Sequence, residues 1–293
     1  MKKKFNSFAG LCMALLVFVS ACDNNDDDPS PGGGGGNKDC VVTEMKEGSN
    51  TTTFTYTNDQ LTKATFDSAG TANDVYFTFE RDNSNRITKA SQFDGTNANT
   101  GAIAYEYNAD NLVGRANYFI KQGSSTTLTN VLSITSEYSN KVLSKTTTYI
   151  NLAALGLPIQ ATIPFSYTSY TSSNGNITKT MDYSIDPVFL ATINPASIPT
   201  VAEFMNHMVL TGSTEYQFDD KKNPVQPLGF LFQDASTVSV NNITNKVEKD
   251  ETGATTNTTT NSYEYNSDGY PTKVTSAQTG NQAEITTLNY QCD

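Results

Sequence analysis

The chain has 293 residues, with 30 aspartates and glutamates against 19 lysines and arginines, and its formal net charge at pH 7 is −11. Binding to nucleic acid depends on neutralising phosphates with lysine and arginine, so this composition excludes nucleic acid as a partner. The chain also contains no tryptophan and a single histidine. It therefore lacks the commonest sugar-stacking side chain and has little to offer a histidine-dependent site.

The N-terminal segment has the pattern of a secretory signal. Lysines at positions 2–4 precede an apolar run over residues 8–19, and small residues at 20 and 21 stand before Cys22. This run is shorter than the ~20 residues that a transmembrane helix needs. We therefore expect residues 1–21 to be a signal peptide that is removed.

Residues 19–22, Val-Ser-Ala-Cys, resemble the lipobox of bacterial lipoproteins. The resemblance implies that Cys22 is diacylated on its sulfur and acylated on its amine, and that lipid anchors the protein in a membrane. The acidic run at 23–28 resembles the tract that follows the lipidated cysteine in Bacteroidetes lipoproteins and marks export to the surface. It implies an outer-membrane protein facing the cell exterior, and it is also compatible with a plain solvated tether.

Residues 22–39 continue from the lipidated cysteine as an acidic, proline-containing and glycine-rich stretch, with five glycines at 32–36. Such a composition cannot bury a hydrophobic core, so it predicts a tether between the lipid and a body at 40–293. Cys40 and Cys292 flank that body. In an oxidising compartment they are candidates for a disulfide, with two free thiols as the alternative.

The body repeats one short pattern, which residues 263–274 illustrate. Tyr263 and Tyr265 share one face of a strand, residues 266–269 supply turn formers, and a second extended run follows. Paired aromatics of this kind recur before other turns, and short apolar-x-Lys segments recur after them. The paired aromatics are Phe54/Tyr56, Phe77/Phe79, Tyr105/Tyr107, Tyr216/Phe218 and Tyr263/Tyr265, and the lysines are Lys63, Lys89, Lys179, Lys249 and Lys273.

This recurrence resembles the YD-type repeats of Rhs and teneurin shells, and more closely the small repeat-containing domains of unknown function in Bacteroidetes lipoproteins. Together with the alternation of the strands, it predicts a single all-β domain. We expect a long antiparallel sheet of hairpin repeats that curls on itself, with one short helical insertion. The lysines could form a basic row across this sheet, or could pair with glutamates on neighbouring strands.

The helical insertion is predicted at Thr200, where a capping-box spacing with Glu203 begins a short helix. Phe204, Met205 and Met208 would share one side of it and cover the concave face of the sheet. These three residues are our candidate ligand-binding residues, in a pocket that would accept an apolar ligand.

Motifs for catalysis, metal binding and phosphate binding are missing from the sequence, so we predict no enzyme activity, no cofactor and no metal. The single histidine, His207, has no sequence neighbours that would form a triad. Three functions remain open: a structural or interaction module with a protein partner, a glycan-binding protein that uses exposed aromatics, and a carrier of an apolar ligand.

Overall fold

The computed structural model describes residues 40–68, 74–123, 125–157, 159–194, 196–226, 229 and 234–292. The predicted signal peptide and tether lie outside these residues. The strands are β1 (Cys40–Glu47), β2 (Asn50–Thr57), β3 (Gln60–Ser68), β4 (Val75–Arg81), β5 (Ile87–Phe93), β6 (Asn99–Tyr107), β7 (Val113–Lys121), β8 (Leu128–Ser139), β9 (Val142–Asn151), β10 (Thr162–Ser173), β11 (Asn176–Ile185), β12 (Met208–Lys222), β13 (Asn241–Asp250), β14 (Thr255–Tyr265), β15 (Pro271–Gln278) and β16 (Glu284–Cys292). The described helices are α1 (Pro187–Thr192), α2 (Val201–Asn206), α3 (Ala235–Val238) and a 3₁₀ turn at Ala153–Leu155.

The sixteen strands form one closed antiparallel barrel, in which each strand pairs with its neighbours in sequence and β1 pairs with β16. The hairpins are antiparallel, as expected, but the prediction of an open, curled sheet of repeats with one helical insertion was wrong. Closure removes both edge strands, whose unpaired backbone groups would otherwise be open to other chains. Cys40 and Cys292, the first pair of the closing register, are joined by a disulfide.

β-Bulges supply the physical reason for closure. Hairpins shift register just after their turns, so that Tyr265 pairs with Pro271 while Glu264 pairs with Lys273, and Thr272 is the extra residue. The hydroxyl of the extra residue donates to a carbonyl on the partner strand, from Thr272 to Glu264 at 3.1 Å. Bulges increase the local twist and bend the strand, and their repetition around the sheet favours a closed barrel over an open one. The same arrangement recurs at Thr62, Thr88, Ser144 and Thr178.

The two ends of the barrel differ. We call the end that carries Cys40 and Cys292 the terminal end, and it also carries three two-residue turns, at 58–59, 140–141 and 174–175. The opposite end, which we call the distal end, carries the segments that contain the 3₁₀ turn, α1 and α2. A chain that precedes Cys40 therefore reaches the barrel at its terminal end.

The described residues between β12 and β13, 223–226, 229 and 234–240, cover the terminal end. Val225 packs against the main hydrophobic core, and Asn223 donates to the carbonyls of Ser236 at 2.6 Å and Ser239 at 2.9 Å. Ser239 is fully buried, and its hydroxyl accepts the backbone N–H of Ile177 at 2.9 Å. These bonds hold the segment across the end of the barrel.

Apolar side chains of β1–β7 and β16 point inward and form the main core, which includes Phe54, Leu61, Phe77, Ile103 and Leu288. Inward tyrosines near the terminal end each donate to a strand carbonyl that lies 19 to 25 residues earlier in the chain. The four pairs are Tyr107 to Ile87, Tyr138 to Val113, Tyr263 to Ile243 and Tyr290 to Pro271. Tyr107 and Tyr263, which belong to the aromatic pairs of the sequence, thus anchor successive hairpins from inside. Within the described ranges, no helix is long and apolar enough to span a bilayer.

Candidate functional site: the polar inner wall

The inner face of β9–β14 is polar, in contrast to the apolar inner face of β1–β7. Directly opposed residues on neighbouring strands point to the same face, and the pairings therefore trace the inward positions around the barrel. Thr146, Thr168 and Asp182 stand opposite one another on β9, β10 and β11. The inward residues that we call the polar wall are Thr146, Thr148, Ser166, Thr168, Tyr170, Thr180, Asp182, Ser184, Thr214, Tyr216, Lys246, Glu248, Asn257 and Thr259.

Solvent reaches this wall from inside the barrel. Lys246 and Glu248 point inward, yet their side chains keep 38% and 34% of their accessible surface. A barrel of 16 strands encloses more space than its own side chains can fill. The apolar half of this barrel packs into a core, and the polar half borders water.

The charged groups of the polar wall are paired with neighbours. Lys246 Nζ lies 2.7 Å from Glu248 Oε1, and Asn257 donates to Glu248 Oε2 at 2.6 Å. The hydrogen bond from Lys246 lowers the pKa of Glu248. The hydroxyl of Thr168 donates to Asp182 Oδ1 at 2.6 Å. Glu248 and Asp182 thus each accept hydrogen bonds from neighbouring side chains, and those to Glu248 favour its ionised form.

Two tyrosines stand beside the hydroxyls of the wall. The phenol of Tyr170 lies 3.1 Å from Thr146 Oγ1, and Tyr216 lies close enough to Thr180 and Thr214 to bond with their side chains. Burial is the main cause that raises the pKa of both phenols. They remain neutral hydroxyls at physiological pH and present apolar ring surface among hydrogen-bonding groups.

The predicted ligand-binding residues lie elsewhere, in a small apolar cluster at the distal end. Thr200 and Glu203 form the predicted capping box of α2. Phe204 is only 1% exposed and packs edge-to-face on Phe189, at 5.8 Å between ring centres. Met208 packs against the same cluster, while Met205 is half-buried. The side chain of Phe204 is already buried by the packing of this cluster. An apolar ligand site at these residues stays a prediction.

The outer face of the barrel is largely threonine, lysine and glutamate. The lysines of the predicted row point outward, and four of them pair with glutamates on neighbouring strands, as Lys273 does with Glu264 at 2.6 Å and Lys89 with Glu80 at 2.7 Å. Lys179 and Lys249 share Glu215. A transmembrane barrel instead carries an apolar outer band about 25 Å tall, flanked by aromatic girdles. The outward residues of β2, β14 and β15 are mainly Thr51, Thr53, Thr55, Thr258, Thr260, Ser262, Glu264, Lys273 and Thr275.

Among the residues that the structure describes, outward aromatics lie on β4–β11, near the distal end. Tyr76 stacks on Phe93 at 5.0 Å between ring centres, and Tyr167 stacks on Tyr183 at 4.4 Å. Lys63 lies 4.0 Å over the ring of Tyr76. The rings already stack on one another and carry a lysine, and this arrangement leaves them only partly available to a sugar.

No protein-family model matches this chain, and no curated protein is similar to it. Solved structures are similar at low identity. A porin-like protein from Bacteroides uniformis is 14% identical, over 86% of this chain and 98% of that one, with a TM-score of 0.47. A porin-like protein from Bacteroides vulgatus is 9% identical, over 86% and 99%, with a TM-score of 0.36. Similarity at this level carries no argument about function, and the family comparison gives the YD-repeat resemblance no support.

In the described residues, the histidine and the two cysteines make structural contacts. His207 stacks on Phe189 at 3.8 Å between ring centres and ends α2. Cys40, Asp268 and Cys292 lie close together, but both sulfurs belong to the disulfide, so they cannot act as thiolate ligands.

The polar wall could not be found from the sequence. Residues 146–149 read Thr-Thr-Thr-Tyr, with hydroxyls at consecutive positions. Thr146 and Thr148 point inward, while Thr147 points outward. Period-two alternation of polarity identifies the inner face only where the two faces differ in character, and here both are polar.

Proposed function

We propose that this protein is a non-catalytic interaction module of the bacterial outer membrane, held there by lipid on Cys22 and facing the cell exterior. The observation that carries the proposal is the polar outer face of the barrel. Threonine and paired lysine–glutamate side chains would lose their hydration if this face lay in hydrocarbon. The barrel therefore belongs in water, and a lipid on Cys22 would keep it at the membrane.

The position of Cys40 supports an orientation. The 18 residues from Cys22 to Cys40 could reach at most about 60 Å, and they join the barrel at its terminal end. That end is closed by the segment around Val225. The distal end, with its longer connections, would then point away from the bilayer and be the end that meets a partner.

Fractionation of a Gram-negative host that expresses the full chain tests this function. The wild-type chain should appear in the outer-membrane fraction and incorporate a labelled fatty acid. A second chain carries a secretory signal without a lipobox in place of residues 1–21, together with Cys22→Ser. We expect it to be released in soluble form, because nothing else in the proposal holds the barrel to lipid.

A matched control separates lipid attachment from general damage. Cys12→Ser alters a cysteine within the predicted signal and should leave membrane attachment and fatty-acid labelling unchanged. If the chain with Cys22→Ser stays in the outer membrane after high-salt washing, the barrel itself associates with the bilayer and the proposal is wrong.

A further inference from the structure

We propose that the polar wall is a binding site for a neutral carbohydrate, which enters the barrel from the distal end. The inference deepens the proposed function and rests on it, because it names what this interaction module binds. Three properties of the wall carry it: its solvent access, its array of hydroxyls and its charge.

The first property is access. Lys246 and Glu248 face the interior and keep more than a third of their side-chain surface accessible, at 38% and 34%. The terminal end is blocked by the segment that carries Val225 and Ser239. Val209, which stands opposite the inward Ser184 near the distal end, is 40% exposed. The route from solvent to the wall therefore lies at the distal end.

The second property is the regular array of hydroxyls. Ser166 stands opposite Thr148 on one side and Ser184 on the other, and all three side chains are partly exposed. Opposed residues are separated by about 4.8 Å across the strands and by about 7 Å along each strand. Each hydroxyl both donates and accepts, so the array can match ligand hydroxyls at many positions, as a sugar chain requires.

The third property is charge. The wall carries Asp182 and Glu248 against Lys246, whose ammonium is already held by Glu248 at 2.7 Å. A phosphate, sulfate or carboxylate ligand would meet net negative charge and would find the one cation of the wall engaged. Ionised carboxylates are strong acceptors for the hydroxyl donors of a neutral ligand. The ring surfaces of Tyr170 and Tyr216 lie beside these acceptors and suit the apolar faces of sugar rings.

An apolar ligand fits this wall poorly, since it would strip water from hydroxyls and carboxylates and return no hydrogen bonds. A site built around hydroxyl pairing strongly rejects analogues that lack the hydroxyl. Neutral carbohydrate is therefore the class that the described geometry favours.

The test uses the full chain, purified in a detergent that has no sugar headgroup. Arrays of neutral and anionic oligosaccharides identify a ligand, and titration calorimetry with the best neutral oligosaccharide gives its Kd. Ser166→Trp places a large ring in the middle of the wall and should weaken binding at least tenfold. Ser169→Trp lies on the outer face of the same strand, opposite Lys145 and Met181, and should change the Kd less than twofold.

A second pair of variants tests hydrogen bonding without a change of volume. Thr148→Val combined with Thr168→Val removes two partly exposed hydroxyls from the wall and should weaken binding at least fivefold. Thr171→Val, on the outer face of β10, is its control. This pair decides the question if Ser166→Trp does not fold, as judged by circular dichroism.

Three results would overturn the inference: no neutral oligosaccharide binds, anionic oligosaccharides or peptides bind more tightly, or the inward variants bind as well as their outward controls. Membrane fractionation of the cells that express the full chain, before purification, distinguishes this failure from failure of the proposed function. If the chain is lipidated and membrane-bound but binds no sugar, the proposed anchoring stands and only the carbohydrate site is wrong.

Discussion

The hydroxyl of Thr272 donates a hydrogen bond of 3.1 Å to the carbonyl of Glu264, and it does so from the extra position of a β-bulge. If Thr272 were paired as in a regular strand, Pro271 and Lys273 would lie on the same face, because side chains alternate along a strand. With it, Pro271 is buried in the interior and Lys273 pairs with Glu264 outside. The recurring apolar-Thr-Lys segments therefore mark the positions of β-bulges.

Deletion of Thr272 tests this interpretation. The shortened strand pairs without a bulge, with Pro271 still inward and Lys273 still outward, but the added twist and bend of the bulge are lost. We therefore expect a loss of about 1–3 kcal/mol in the free energy of unfolding. Thr272→Ala keeps the bulge and removes only the hydroxyl bond, which should cost about 0.5–1.5 kcal/mol. Urea unfolding measures both. Equal effects of the two changes would show that the turn at 266–270 absorbs the deletion and that the bulge is dispensable.

The disulfide between Cys40 and Cys292 closes a loop with a sequence separation of 252 residues. In the chain-entropy model, such a loop stabilises the fold by about 5 kcal/mol. The double variant Cys40→Ser, Cys292→Ser should therefore have a Tm lower by about 10 °C or more.

The barrel of that variant should still close, because the register between β1 and β16 continues from Val41 to Glu47 without the disulfide. Its circular dichroism spectrum should match that of the wild type. Reductant should lower the Tm of the wild type and leave the double variant unchanged. A reductant effect of equal size in both would assign the loss to another part of the molecule.

Glu47 faces the inside of the barrel near the distal end, opposite Thr286. Burial raises the pKa of its carboxyl above the ordinary value of 4.5, and the nearby charge of Glu284 raises it further. The folded state then holds this proton more tightly than the unfolded chain does. The contribution of Glu47 to stability is therefore most favourable at low pH and falls as pH rises through the folded-state pKa.

Glu47→Gln removes this penalty, so it should raise the Tm at pH 7–8 by about 1 °C, a small effect because Glu47 is partly exposed and screened. The gain should shrink as the pH falls to about 4, where the wild-type carboxyl is protonated. Glu284→Gln should act in the same direction, and the double variant should gain less than the sum because the repulsion is removed once. A gain independent of pH would contradict this assignment.

Gly212 stands between Asp182 and Asp250 on the inner face of β12. A Cβ at this position would lie 2.8 Å from the carbonyl oxygen of Lys249, which is fixed in the sheet. Gly212→Ala should therefore destabilise the barrel by about 1–3 kcal/mol through overpacking.

Gly114→Ala is the matched control, since a Cβ there would meet nothing nearer than 3.6 Å. Without a clash, alanine restricts the unfolded chain, and we expect a change between zero and a gain of about 1 kcal/mol. Chemical denaturation compares the two variants. A stable Gly212→Ala barrel would show that β12 can shift away from β13.

The sequence by itself determined the local architecture. The aromatic pairs, the Asn- and Gly-rich turns and the capping box at Thr200 and Glu203 are satisfied by neighbours close in the chain, and a pattern of residue types is enough to specify them. They identified antiparallel hairpins and the start of α2.

Only the tertiary structure decided that the sheet closes, because closure depends on accumulated twist and on the pairing of β1 with β16, whose partners lie about 250 residues apart. It also decided which of two threonine-rich faces became the inside at Thr146 and Thr147. Threonine hydroxyls are stable both in water and when buried with a hydrogen bond, so composition does not determine which face is inside. The register set by pairing with the neighbouring strands determines it.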